Sequence, residues 1–184
     1  MRKHLIIFVV LCCSVIAGCA SLPGSDAVLL DVPFCVQETD HCGCACLEMV
    51  MRYHGLSPDR GKIEEAVHVP ALGGSTAGLI VEAARNAGLE TQITEGSFDD
   101  LRSWLTAKTP PILFLKHAEN DAKGHFVVVT GITKCGKHVR VHSGKQANRW
   151  MDREDLGRRW ETGRFKALPV GVVYNEESAV REGD

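Results

Sequence analysis

The strongest constraint on how this chain folds is a change of hydrophobic period near residue 110. Before it the spacing is helical. Leu47, Val50, Met51 and His54 share one helical face that stops at Gly55, which predicts a helix beginning at Cys42–Gly43. Ser57-Pro58 caps a second helix through Val67, "GGSTAGLIVEAARNAG" (73–88) holds a third capped at Ser75 or Thr76, and Ser97 caps "FDDLRSWL". After the change, β-branched runs predict strands at 110–116, 124–132, 138–144 and 165–174, with "TKCGK" as the turn between two of them. Helices first and strands afterwards predict an α+β fold, N-terminal helices packed on a C-terminal antiparallel sheet.

The chain opens with Arg2, Lys3 and an apolar run from Leu5 to Ala17. A charged stretch and a core too short to span a bilayer predict a targeting segment over residues 1–18. Its end, Ile16-Ala17-Gly18-Cys19, resembles the lipobox of bacterial lipoproteins. That resemblance implies an acylated Cys19 held in a lipid bilayer. Ala20 and Ser21 imply the outer membrane of a Gram-negative cell, the domain facing the periplasm. Residues 19–28 read as a tether, 29–175 as one domain and 176–184 as a polar tail. With 21 Lys+Arg against 23 Asp+Glu, no basic excess is present to hold nucleic acid. "GRRW" (157–160) reads as the polar face of a short helix. "GITKCGK" (131–137) has the glycine and lysine spacing of a phosphate-binding loop, but His138 takes the hydroxyl position and a strand follows, so no nucleotide is expected.

Of eight cysteines, Cys35, Cys42, Cys44, Cys46 and Cys135 lie beyond the targeting segment and its cleavage point, an odd set that leaves a thiol unpaired. On a helix Cys44 turns about 200° away from Cys42. The Cβ atoms of Cys42 and Cys46 stand about 6 Å apart, where a disulfide needs about 4 Å. No bridge forms within this run; Cys35 and Cys135 could pair with each other or with Cys46. Cysteine spacing here does not match a zinc knuckle, so no metal and no other cofactor is expected. A structural Cys/His metal site, with Cys35, His41 or His54 folding back, stands as a third reading. Cys42 is the cysteine placed at a helix N-terminus, where the backbone lowers a thiol pKa. Cys44 and Cys46 read as small buried residues.

A thiolate nucleophile needs a base that also protonates the leaving amine, most often a histidine. His125 follows Gly124 at the start of an apolar strand, where a side chain can face a cleft. His41, His54, His68, His117, His138 and His142 read as surface or packing residues. Gln37, five residues before Cys42, suits an oxyanion donor beside the Cys42 backbone N–H.

The segments "VPFCVQETDHCGCACLEMVMRYHG" and "GHFVVVTGI", joined by "GLIVEAARNAGLE" and "DDLRSWLTAKTPPILFL", resemble the bacteriocin-processing, double-glycine leader peptidase family from about Asp31 to Val173. The resemblance implies a papain-like cysteine peptidase fold with Cys42 as nucleophile, His125 as general base and Gln37 at the oxyanion. One position departs from the family. An Asp that orients the imidazole is replaced by His142-Ser143, and Ser143 supplies a hydrogen bond without charge. Asn120, Asp121 and Asn148 do not stand at that place. The implied substrate is a peptide or protein cleaved after small residues such as Gly-Gly. The alternative is a catalytically degenerate binding or scaffold module on the same fold.

Overall fold

A computed structural model describes residues 27–116, 123–164 and 166–172. Residues 1–18, Cys19 and the tail 176–184 lie outside them, as do His117, Asn120 and Asp121. In chain order the elements are β1 (Val28–Leu29), α1 (Cys42–Tyr53), α2 (Arg60–Val67), β2 (His68–Val69), β3 (Gly74–Ser75), α3 (Ala77–Asn86), β4 (Leu89–Thr91), β5 (Thr94–Glu95), α4 (Phe98–Thr106), β6 (Pro111–Leu115), β7 (His125–Ile132), β8 (His138–Ser143), β9 (Gln146–Asp152), α5 (Arg153–Thr162) and β10 (Lys166–Val172). A 3₁₀ turn, Pro70–Leu72, joins β2 to β3.

The main sheet runs β4-β10-β6-β7-β8-β9, every pairing antiparallel, with β1 on β7 and β5 on β10. In β7 only His125 is less than buried. Successive strand residues face opposite sides, so both faces of β7 are covered beyond its first residue. Helices α1 and α4 both pack against it. The α+β expectation therefore holds in layers, although five short strands precede β6 and α5 falls within the C-terminal half.

Helix α1 is more deeply set than one apolar stripe requires, since every residue from Gly43 to Met51 is buried. It is enclosed by β7 on one side and by α2 and α3 on others, and a helix enclosed this way loses its polar face. Glu48 is the charged residue carried inside with it; Arg52, 2.6 Å away, and Arg60, 3.6 Å away, answer its charge. The cap of α2 is Asp59, whose carboxylate accepts from Gly61 and Lys62 N–H, so the helix starts just after the expected Ser57-Pro58. Thr76 caps α3, and Ser97 forms a capping box with Asp100 at α4. "GRRW" lies in α5, where Trp160 is fully buried, so the segment is a core contact as much as a polar face. "TKCGK" is the β7–β8 turn and leads into a strand.

Candidate active site

Cys42 is the first residue of α1 and His125 the first residue of β7. The two elements pack together, and both side chains line an open cleft of about 520 Å³, a size suited to a short run of peptide. One wall is the segment Leu72–Ser75, which ends in β3. Phe114 lines the opposite strand, and its ring covers Gly124, where a Cβ would collide with it. That close approach requires glycine immediately before His125.

The imidazole is held at its Nε2, 3.1 Å from Ser143 Oγ at the end of β8. Ser143 is thus the side chain that meets His125 Nε2. Asn148 meets His142 rather than His125, its backbone N–H donating to His142 Nδ1 at 3.1 Å. His142 itself is buried, with Nε2 donating to Val32 O at 2.8 Å, a fixed neutral tautomer in the packing. Burial lowers its pKa first, and the nearby Arg140 lowers it further.

Cys42 differs from expectation in one respect. Burial pushes its thiol above the ordinary value, while the backbone N–H groups of Phe126, Gly43 and Cys42 pull in the opposite direction. The helix start does stabilise the anion, but desolvation at the cleft floor outweighs it. The side chain of His41 does not cap the first turn of α1; its Nδ1 faces Thr39 O at 2.8 Å and its ring stacks on His68. The neighbouring thiols are buried: Cys44 points to Ser75 Oγ at 3.9 Å and Cys46 accepts from Gln37 Nε2 at 3.2 Å. Cys35, Cys42, Cys44, Cys46 and Cys135 are in no disulfide, and Cys135 is exposed in the β7–β8 turn. Among the described residues no three His, Cys, Asp or Glu side chains gather as a metal site would require.

Gln37 reaches the cleft but is 5% exposed and held on every side. Its Nε2 donates to Cys46 Sγ and, at 3.3 Å, to Phe126 O, so both amide protons have acceptors in addition to any substrate. Sequence spacing identified Gln37 as a cleft residue and missed these contacts. It also missed Asp40 and Lys123, each two residues before Cys42 and His125, which form a 3.0 Å ion pair at the cleft rim. Asp40 adopts a left-handed backbone (φ 64°), a conformation several-fold enriched in Asp.

Residues 32–164 match the model of the Peptidase C39 family. The chain is 31% identical over 144 residues to the colicin V secretion/processing ATP-binding protein of Escherichia coli, covering 78% of this chain and 19% of that protein's length. Its fold is similar to that of a double glycine motif protease from an AMS/PCAT transporter solved with the leader peptide (TM-score 0.64, 24% identity, covering 79% of this chain and 94% of that one). It is also similar to the peptidase domain of Streptococcus ComA, a bifunctional ABC transporter of a quorum-sensing pathway (TM-score 0.61, 21% identity, 74% and 96% covered). The fold is papain-like.

Proposed function

The chain belongs to the peptidase C39 family, and from that premise we propose that it is a cysteine peptidase in which Cys42 attacks and His125 moves the proton. The observation that carries this reading is the meeting of Cys42 and a Ser143-held His125 in one open cleft. With Nε2 engaged by Ser143, Nδ1 is the nitrogen that takes the thiol proton. The thiolate then attacks the scissile carbonyl carbon. The new oxyanion meets the Cys42 backbone N–H, at a helix start without a side-chain cap, and the Gln37 amide. Cys46 Sγ is a weak acceptor, so the amide can exchange that contact for the oxyanion at small cost. The imidazolium protonates the leaving amine, and water hydrolyses the thioester.

The glycine-lined wall at Gly73 and Gly74 supports a peptide substrate with small residues at the cut, such as Gly-Gly. The test is mass spectrometry of a synthetic leader peptide carrying an internal Gly-Gly, incubated with the protein and with Cys42→Ala. Cleavage after Gly-Gly by the first and none by the second is expected; an intact peptide with both counts against the reading. A catalytically degenerate binding module draws on two observations, the raised Cys42 thiol and the uncharged Ser143. Saturable binding of the same peptide without cleavage supports it. The Ile16-Ala17-Gly18-Cys19 sequence supports display of the domain from an acylated Cys19 on the outer membrane, facing the periplasm.

A further inference from the structure

The register Val128↔His142 sets Phe126 opposite Gly144, two residues beyond the last β7–β8 pair. An antiparallel ladder carried that far would join these two residues backbone to backbone. Gln37 takes their groups instead. Gly144 N–H donates to Gln37 Oε1 at 2.7 Å, Gln37 Nε2 donates to Phe126 O at 3.3 Å, and Gln37 N–H donates to Gly144 O at 3.0 Å. The side-chain amide has entered the ladder as an extra peptide unit. Its second Nε2 contact, on buried Cys46 Sγ, fixes the rotation of the amide plane.

Gly144 directly follows Ser143 and has φ +61°, a conformation that glycine enters freely. The Ser143↔Gln146 pair of β8 and β9 closes this turn on one side, and the Gln37 contacts hold Gly144 on the other. A hydrogen bond from His125 Nε2–H to a neutral hydroxyl oxygen is roughly half as strong as one to a carboxylate, so it depends more on placement. We propose that Gln37 is a positioning residue for His125, acting through Gly144 and Ser143, in addition to its place at the oxyanion. The proposal rests on the Cys42–His125 reading above.

Alkylation of Cys42 by iodoacetamide separates the two roles of Gln37, because the reaction forms no oxyanion. Gln37→Met keeps the length of the side chain and removes its hydrogen bonds. It is expected to slow Cys42 alkylation at pH 7 by about three- to tenfold and to move the midpoint of the pH–rate curve to higher pH, because the thiolate loses a well-placed imidazole partner. Ser143→Ala should do the same, and the double variant should be no slower than Ser143→Ala, since both act on one imidazole. Wild-type rates in Gln37→Met, or losses that multiply in the double variant, overturn the proposal. Should Gln37→Met not fold, hydrogen exchange of Gly144 N–H in the native protein decides: protection like that of β7 supports the clasp, and exchange at open-loop rates overturns it. Leader-peptide hydrolysis is followed alongside. Coupled alkylation without hydrolysis removes the peptidase reading and leaves the clasp; hydrolysis with uncoupled alkylation does the reverse.

Discussion

Ser143 Oγ lies 3.1 Å from His125 Nε2, so the group that meets the imidazole there is a neutral hydroxyl. It holds the ring while adding little to the stability of the imidazolium. Ser143→Asp adds that charge and is expected to raise peptide cleavage by about tenfold to a hundredfold, equivalent to ~1.4–2.8 kcal/mol of transition-state stabilisation. Ser143→Ala should lower it modestly. The measurement is kcat/KM across pH 5–9 for the three forms, where the limb that depends on imidazolium should move to higher pH in Ser143→Asp. An unchanged profile in a folded Ser143→Asp variant would show that residue 143 does not act on the ring.

The thiols should react in the order of their exposure. Burial raises the pKa of Cys42 and Cys44 and raises that of Cys46 well above the ordinary value, but of the three only Cys42 lines the cleft. Iodoacetamide at pH 7 with mass-spectrometric mapping is expected to label Cys42 at least about tenfold faster than Cys44 or Cys46. Cys135, exposed in its turn, serves as the reference for an accessible thiol. Equal labelling of Cys42 and Cys46 would remove the basis for nucleophilic chemistry.

Stability should decline on the acid side as His142 titrates. Its folded pKa is lowered from 6.5, so below that value the unfolded chain binds a proton that the folded one refuses. The stability present above pH 6.5 is lost as pH falls toward the folded value, because protonation converts the Nδ1 acceptor of Asn148 N–H into a donor. Urea unfolding between pH 7.5 and 5 reads the slope, and His142→Gln should flatten it. A slope unaffected by that change assigns the acid loss to other groups.

Cys19→Ser is expected to release the protein from the membrane fraction, since one processed cysteine carries the acyl chains of a lipoprotein. Fractionation and intact-mass measurement provide the check. A variant that stays membrane-bound and is trimmed at the same point contradicts the lipobox reading.

Much of the site was legible because its signals are local. A helical face beginning at Cys42, a Gly-His pair opening an apolar strand, and a Gln five residues before the thiol each lie within a few positions of the chemistry they mark. Ser143 enters through the family resemblance, which points to the end of the strand after the His125 strand, and β7, a short turn and β8 follow one another without a break. Other parts carried no such signal. β2 and β3 are two residues each, too short for any period, yet they carry the Leu72–Ser75 wall. β9 has only Met151 buried, so it shows no alternation and was passed over. The raised Cys42 thiol depends on how deeply α1 is enclosed, and the hold on Gln37 depends on Phe126 and Gly144, far away in the chain. Contacts of that kind exist only in three dimensions.

The Gln37–Gly144 clasp also determines when in the life of the chain a site can exist. Its partners are 107 residues apart, and the Gln37–Phe126 contact spans 89. α1 can form from neighbouring residues soon after synthesis, but closing loops of this length is a late and entropically demanding event. A partly made chain therefore presents Cys42 on a helix with neither its imidazole nor the hydroxyl that steadies it. The cleft residues can meet only once β8 exists, after nearly four-fifths of the 184-residue sequence, and until then Cys42 stands without a His125 ring held by Ser143.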